Sequence, residues 1–144
     1  MKLLAILLLI SFICGSLGCK CPGQPKTINE QYCSSDFMFK IKVTTDAQKN
    51  GTIDVWYETV VEKVFKGTPL KPDPQMKAPI LSNKIYTPSR SGACGIALEK
   101  GQEYIVSGAI IDGKLRATSC GFHKKLIDLD DSENQFIITE LKFC

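Results

Sequence analysis

Glu103-Tyr104-Ile105-Val106-Ser107-Gly108-Ala109-Ile110-Ile111-Asp112-Gly113-Lys114-Leu115-Arg116-Ala117-Thr118-Ser119-Cys120 decides the fold class. Asp-Gly between two apolar-rich runs is a strong two-residue hairpin signal, so residues 103–111 and 114–120 are expected as paired antiparallel strands. Upstream, Phe37, Phe39, Ile41 and Val43 alternate with Met38, Lys40 and Lys42, the period of a half-buried strand. The turn from Asp46 to Gly51 leads into a long strand from Thr52 to Phe65. There Ile53, Val55 and Tyr57 alternate, and the phase slips near Val60-Val61 as a β-bulge would make it. Another strand is expected from Ile80 to Pro88, giving about five in all.

Between these strands the chain changes character. Lys66 to Pro79 holds Gly67, Pro69, Pro72, Pro74 and Pro79 and reads as an extended surface loop. Ser89 to Gly95 is a turn-rich loop carrying Cys94. Helical spacing appears only at the two ends. Pro25 to Ser34 places Ile28, Tyr32 and Cys33 on one side, and Ile137, Leu141 and Cys144 repeat at i, i+4, i+7. Ser132 with Gln135 three residues on predicts a capping box and a helix over Glu133–Phe143. Mainly β structure with flanking helices, turn signals between short strands and cysteines to staple it suggests a five-stranded barrel of the OB, Greek-key type.

The first 18 residues stand apart. Lys2 opens a basic region, Leu3 to Ile13 is apolar apart from Ser11, and Ser16-Leu17-Gly18 supplies small residues where a signal peptidase reads. The run is shorter than the ~20 residues that cross a bilayer, so a cleaved secretory signal is expected over 1–18, with one domain over 19–144. Removing 18 of the 144 residues leaves 126, enough for one core, and lowers the net charge from +3 to +2. Scattered basic residues and so small a charge exclude nucleic acid as a partner, and membrane insertion is not expected either. Seven cysteines become six once Cys14 leaves: Cys19, Cys21, Cys33, Cys94, Cys120 and Cys144. An even number in a secreted chain implies three disulfides and leaves their pairing open. Cys19 and Cys21 are too close to bridge each other comfortably, so each should reach a distant partner.

Signals for catalysis are weak. Ala93-Cys94-Gly95 faintly echoes a cysteine-protease nucleophile, but the preceding Gln is missing and His123 is the only histidine. No phosphate loop and no zinc-binding histidine pair occurs. Asp128, Asp130, Asp131 and Glu133 lack the glycine and spacing of a calcium loop, and fit better as acidic residues favouring a helix dipole. Trp56 shares its strand face with Asp54 and Glu58, which predicts partial exposure. No enzyme and no cofactor are expected, and a monomer is. Asn50-Gly51-Thr52 is an N-glycosylation sequon in a turn.

Cys-x-Cys at Cys19, a third cysteine after a short helix, Val64-Phe65-Lys66-Gly67, Ile85-Tyr86-Thr87, Ala93-Cys94-Gly95-Ile96-Ala97-Leu98, Glu103-Tyr104-Ile105-Val106-Ser107-Gly108, the Asp-Gly-Lys hairpin and Cys120-Gly121-Phe122 together carry a resemblance. The chain from Cys19 to Cys144 resembles the amino-terminal domain of the tissue inhibitors of metalloproteinases and, more broadly, the netrin-like module. The resemblance implies the disulfides Cys19–Cys94, Cys21–Cys120 and Cys33–Cys144. It also implies that the α-amine and carbonyl oxygen of Cys19 chelate the catalytic zinc of an extracellular metalloprotease, flanked by Lys20, Cys21, Pro22, Ser91, Gly92, Ala93 and Cys94.

Two features depart from the family pattern. Lys20 stands where its members usually have Thr or Ser, and a long ammonium side chain is costly to desolvate in an apolar pocket. The chain also ends at its sixth cysteine, so the carboxy-terminal domain of the vertebrate inhibitors is not expected. Related single-domain proteins secreted by parasitic nematodes are associated with dampening host inflammation. The alternative expectation is therefore an immunomodulatory module that binds a host cell-surface or immune protein without inhibiting a protease.

Overall fold

The computed structural model describes residues 18–23, 27–67, 82–141 and 144. Nearly all of the expected signal segment lies outside the described residues, as do Pro25, the proline-rich loop beyond Gly67, residues 80–81 of the expected third strand, and Phe143. In chain order the elements are helix α1 (Ile28–Ser34), strands β1 (Phe37–Val43), β2 (Gln48–Asn50), β3 (Asp54–Lys66) and β4 (Ser82–Pro88), a 3-10 turn (Ser91–Ala93), β5 (Glu103–Ile111), β6 (Lys114–Arg116), β7 (His123–Lys125), a second 3-10 turn (Leu126–Asp128), and α2 (Asp131–Thr139).

Five of these strands close on themselves. β1 pairs with β3, β3 with β4, β4 with β6, β6 with β5, and β5 returns to β1. All are antiparallel except β4–β6, where Ile85 and Leu115 lie opposite each other in a parallel pair. Closure leaves no free edge in the barrel itself, while the short β2 and β7 add to β3 and β5 from outside. The fold class expected from strand count and turn spacing is the one observed.

The Asp-Gly signal acts as expected. Asp112 and Gly113 have φ of 51° and 72°, the two positive values a type I′ turn needs, and they bring Ile111 opposite Lys114. β3 carries a bulge immediately after Val61, near the expected slip, and a second one further on. Met38 opposes Lys66 and Phe39 opposes Val64, then Lys40 opposes Lys63 and Ile41 opposes Val61, so the extra residues are Phe65 and Glu62. The second bulge has a packing cause. Tyr57, Thr59 and Val61 point into the barrel, and two bulges then turn Phe65 outward, where it meets the helices.

Two apolar clusters result. Phe37, Phe39, Ile41, Val43, Tyr57, Ile85, Val106 and Leu115 are among the residues that fill the barrel, with Phe37 and Phe39 ring centroids 5.1 Å apart. Outside it, Met38, Ile105, Phe122, Ile137 and Leu141 pack with Ile28, Tyr32, Phe65 and Phe136 beneath the two helices. Met38 was expected on the open side of a half-buried strand and is instead fully buried, because the helices cover that part of β1. Lys40, further along the same face, stays half-exposed between Glu62 and Glu103 at 2.9 and 3.2 Å, and the Glu62 carboxylate holds its ammonium above the usual lysine range.

Both helices are capped from the sequence, though one cap is not the predicted one. Thr27 and Glu30 form a capping box on α1. On α2 the cap is Asp130 with Glu133, not Ser132 with Gln135, and the helix runs over Asp131–Thr139 rather than Glu133–Phe143. Both pairs have the right spacing, but a carboxylate at the amino terminus is favoured by the helix dipole. Ser132 is drawn in as a donor to Asp130. The Ser132 hydroxyl, followed by the Glu133 backbone N–H, holds the Asp130 carboxyl below the ordinary aspartate range. A depressed folded value means that this cap stabilises above the unfolded value, near about pH 4, and that the contribution is lost as pH falls through the folded one. Asp130→Ala is therefore expected to lower the melting temperature at neutral pH and to leave it nearly unchanged in strong acid. An equal shift at both pH values would contradict this role.

Candidate functional site

The candidate site is an edge built from three chain segments: Cys19 to Pro22, the loop from Ser89 to Gly95, and Thr118 to Gly121. The second and third are positioned by strands, and the first by its disulfides to them. Ser89 continues β4 and its N–H donates to the Ile53 carbonyl at 2.8 Å, tying the loop to the β2–β3 hairpin. The loop then closes on itself. The Arg90 carbonyl accepts from the N–H groups of Ala93 and Gly95, at 3.1 and 3.0 Å, and Ser91 accepts from Cys94 at 2.9 Å. Cys94 takes the left-handed conformation, φ 65°, which aims it back toward the amino-terminal segment.

Gly95 follows beneath the Pro88 carbonyl, where an added Cβ would stand 2.0 Å from that oxygen. Its approach allows Ile96 N–H to reach the buried Thr87 hydroxyl at 3.0 Å, fastening the far end of the loop. Gly95→Ala is expected to destabilise the fold by about 1–3 kcal/mol through this overlap. Urea denaturation checks it, and an unchanged midpoint would show that the loop relaxes freely.

The third segment hangs from β5. Ser107 N–H donates to the Phe122 carbonyl at 2.7 Å, and Phe122 N–H donates to the Ser107 hydroxyl at 2.8 Å. That exchange fixes Cys120 two residues away, and Ser119 N–H donates to the Cys94 carbonyl at 2.9 Å. The Ser119 hydroxyl lies 3.2 Å from the Cys19 sulfur. Ser119 was not singled out from the sequence, and only its place beside Cys120 could have pointed to it.

Disulfides join the three segments. Cys19 pairs with Cys94 and Cys21 with Cys120, with Cα atoms 4.8 and 5.3 Å apart, while Cys33 joins Cys144 at 5.5 Å and docks the end of the chain on α1. These are the pairs that the resemblance implied. The two bridges of the site are stacked: Cys19 Sγ is 3.9 Å from Cys21 Sγ and 3.8 Å from Cys120 Sγ, and all four sulfurs lie within 4.8 Å of one another. Such a cluster resembles a metal site in outline only, because disulfide sulfurs offer no thiolate to an ion. Its chemical effect is mechanical. Cys19 and Cys21 are held at alternate positions of one short segment, with Lys20 and Pro22 exposed beside them and Ser91, Gly92 and Ala93 exposed on the neighbouring loop. Seven of the expected contact residues are thus brought to one edge by covalent and backbone bonds.

The other singled-out residues lie elsewhere. His123 is exposed at the start of β7, with a ring nitrogen 3.2 Å from the Gly121 carbonyl. Trp56 is half-buried on the outer face of β3, with the Lys84 ammonium 4.0 Å above its ring.

The family model for tissue inhibitor of metalloproteinase matches residues 18–140. The chain belongs to that family. Similar proteins include "Metalloproteinase inhibitor 2" of Rattus norvegicus, 29% identical in an alignment 131 residues long that covers 83% of this chain and 54% of that protein. The protein of the same name from Homo sapiens is 28% identical over the same shares. "Putative metalloproteinase inhibitor tag-225" of Caenorhabditis elegans is 27% identical in an alignment 116 residues long that covers 74% of this chain and 68% of that protein. The chain spans about half the length of the two mammalian relatives. Members of the tissue inhibitor of metalloproteinase family are inhibitors and not enzymes, in keeping with the weak catalytic signals of the sequence. Among the described residues no helix is long and apolar enough to cross a membrane.

Proposed function

We propose that the chain is a secreted inhibitor of an extracellular zinc metalloprotease, acting through the amino terminus that cleavage after Gly18 would release. The observation that carries this reading is the double staple, Cys19 to Cys94 and Cys21 to Cys120, with four sulfurs inside 4.8 Å. A catalytic zinc keeps one position for water or substrate, and an amine nitrogen beside a carbonyl oxygen is a fitting chelate for it. An α-amino group with a pKa near 8 loses its proton at pH 7 at a cost of about 1.4 kcal/mol, small against a metal–nitrogen bond. Because Cys19 is anchored before any partner arrives, little ordering entropy remains to be lost on binding. Ser91, Gly92, Ala93 and Pro22 would form the surface beside the zinc.

Lys20 sets the specificity in this reading. Its ammonium is exposed between two bridged cysteines and would be presented to whatever pocket adjoins the zinc. An apolar pocket would disfavour it, whereas a pocket with a carboxylate or an open rim would accept it. Lys20→Thr is expected to tighten inhibition of metalloproteases with an apolar pocket by about tenfold, or ~1.4 kcal/mol. Equal inhibition constants for the two proteins would remove Lys20 as the determinant.

The test of the function is a titration of correctly processed protein against a panel of extracellular metalloproteases, and no inhibition of any member would sink it. The exposed Lys20 also favours a second reading, an immunomodulatory module that binds a host cell-surface or immune protein. That reading requires activity on host cells to survive a blocked amino terminus.

A further inference from the structure

We propose that the two bridges of the site exchange partners: a small thiol converts Cys19–Cys94 and Cys21–Cys120 into Cys19–Cys120 and Cys21–Cys94, and back, with no net oxidation or reduction. The exchange rests on the placement of the sulfurs; its effect on inhibition rests on the function proposed above. Four sulfurs belonging to two bridges lie within 4.8 Å of one another. Cys120 Sγ is 3.8 Å from both Cys19 Sγ and Cys94 Sγ, the sulfurs of the other bridge. Sulfurs in packing contact are within reach of thiol–disulfide exchange, in which a thiolate attacks one sulfur of a disulfide and expels the other. The Cys33–Cys144 bridge is no part of the group.

The steps balance. A thiolate from solution attacks Cys94 Sγ, forms a mixed disulfide there and expels Cys19 as thiolate. Cys19 is the better leaving group of that pair. The Ser119 hydroxyl, 3.2 Å from its sulfur, donates to it and bonds a thiolate more strongly still. The Cys19 thiolate then has two targets, Cys120 Sγ at 3.8 Å and Cys21 Sγ at 3.9 Å. Attack on Cys21 would close a strained bridge between residues two apart in sequence. Attack on Cys120 forms Cys19–Cys120 and expels Cys21 as thiolate. Cys21 attacks the mixed disulfide at Cys94, forms Cys21–Cys94 and returns the thiolate to solution. As many sulfur–sulfur bonds form as break.

The segment that must move is the one least tied. Cys19 to Pro22 lies before α1 and belongs to no strand, with Lys20 and Pro22 exposed. Cys94 and Cys120 are held by their own loops, which the Ser119 N–H joins through the Cys94 carbonyl at 2.9 Å. Exchange transfers Cys19 from the loop of Ser91 to Ala93 onto the neighbouring segment, and brings Cys21 to that loop in its place. The α-amine of Cys19 would then stand away from Ser91, Gly92 and Ala93, and chelation of a zinc approached over that loop would weaken. The two pairings are two forms of one edge, interconverted by ambient thiol.

The experiment treats the secreted, processed protein with a trace of reduced glutathione at about pH 8, where thiols are partly ionised. The reaction is stopped with acid, and unreduced peptides are mapped by mass spectrometry. Linked peptides Cys19–Cys120 and Cys21–Cys94 are expected to rise together with time and to be absent without the thiol, while Cys33–Cys144 persists. The original pairs alone at every time overturn the proposal, as does scrambling that includes Cys33 and Cys144. Cys94→Ser isolates the middle step, because it leaves the Cys19 thiol beside the Cys21–Cys120 bridge. Iodoacetamide label is expected on both Cys19 and Cys21 of that variant, and label confined to Cys19 overturns the step. The parent protein decides alone if the variant loses its circular dichroism spectrum. The map reads bonds and not inhibition, so a failed protease panel would remove the function and leave the exchange to be judged by its own peptides.

Discussion

Protein carrying one additional alanine before Cys19 is expected to lose about a thousandfold or more in inhibition of any metalloprotease that the processed protein inhibits, or ~4 kcal/mol. The physical reason is local. An added residue converts the α-amine of Cys19 into an amide, whose nitrogen has no lone pair available to a metal, and it places an extra residue where the zinc would have to approach. The fold should not notice, since Cys19 is held from the other side by its bridge to Cys94 and the barrel core begins at Phe37. Equal melting temperatures with unequal inhibition are the expected pair of measurements. Equal inhibition by both proteins would mean that the amine takes no part. Retention of activity on host cells by the extended protein would move the function to the immunomodulatory reading.

Replacing Cys21 and Cys120 together with serine is expected to cost about 3–5 kcal/mol of stability, read from urea denaturation. The bridge closes a loop with a sequence separation of 99, and the chain-entropy model assigns about 4.7 kcal/mol to a loop of about 100 residues. The functional effect should be smaller than that of the added alanine. Cys19 keeps Cys94, and the Ser119–Cys94 backbone hydrogen bond still joins two of the three segments. What is lost is the second anchor on the short segment, so Lys20 and its neighbours would have to be ordered on binding, at about 0.5–1.5 kcal/mol per side chain. A midpoint unchanged from the parent protein would show that the bridge merely decorates a barrel that holds itself together.

Much of the barrel is legible locally. Asp112-Gly113 specifies its hairpin because a type I′ turn needs two positive φ values that few residue pairs accept, and the alternation from Phe37 to Val43 marks an inward face. Three features escaped, two because they depend on partners distant in sequence and the third because two local signals of equal spacing compete. A second bulge falls at Phe65 because β1 and the helices, not β3 alone, settle where the phase must change again. Met38 is buried because α1 and α2 cover it. Asp130 rather than Ser132 caps α2, a choice between two pairs of equal spacing that the dipole and the Ser132 hydroxyl decide.

The amino-acid sequence by itself determined the five strands of the barrel, though not the short β2 and β7, together with the Asp-Gly hairpin, the need for three bridges and, through its cysteine spacing, the family. Those are properties of periodicity, backbone preference and residue type, which act over a few positions. Only the tertiary structure decided that Cys19, Cys21, Cys94 and Cys120 stack into one cluster and that Ser119 joins it. It alone decided that the loop of Ser91 to Ala93 lies beside Lys20. Closing β5 onto β1 brings residues some 60 to 70 positions apart into contact, the Cys21–Cys120 bridge joins residues 99 apart, and no local signal along the chain records which of them will meet.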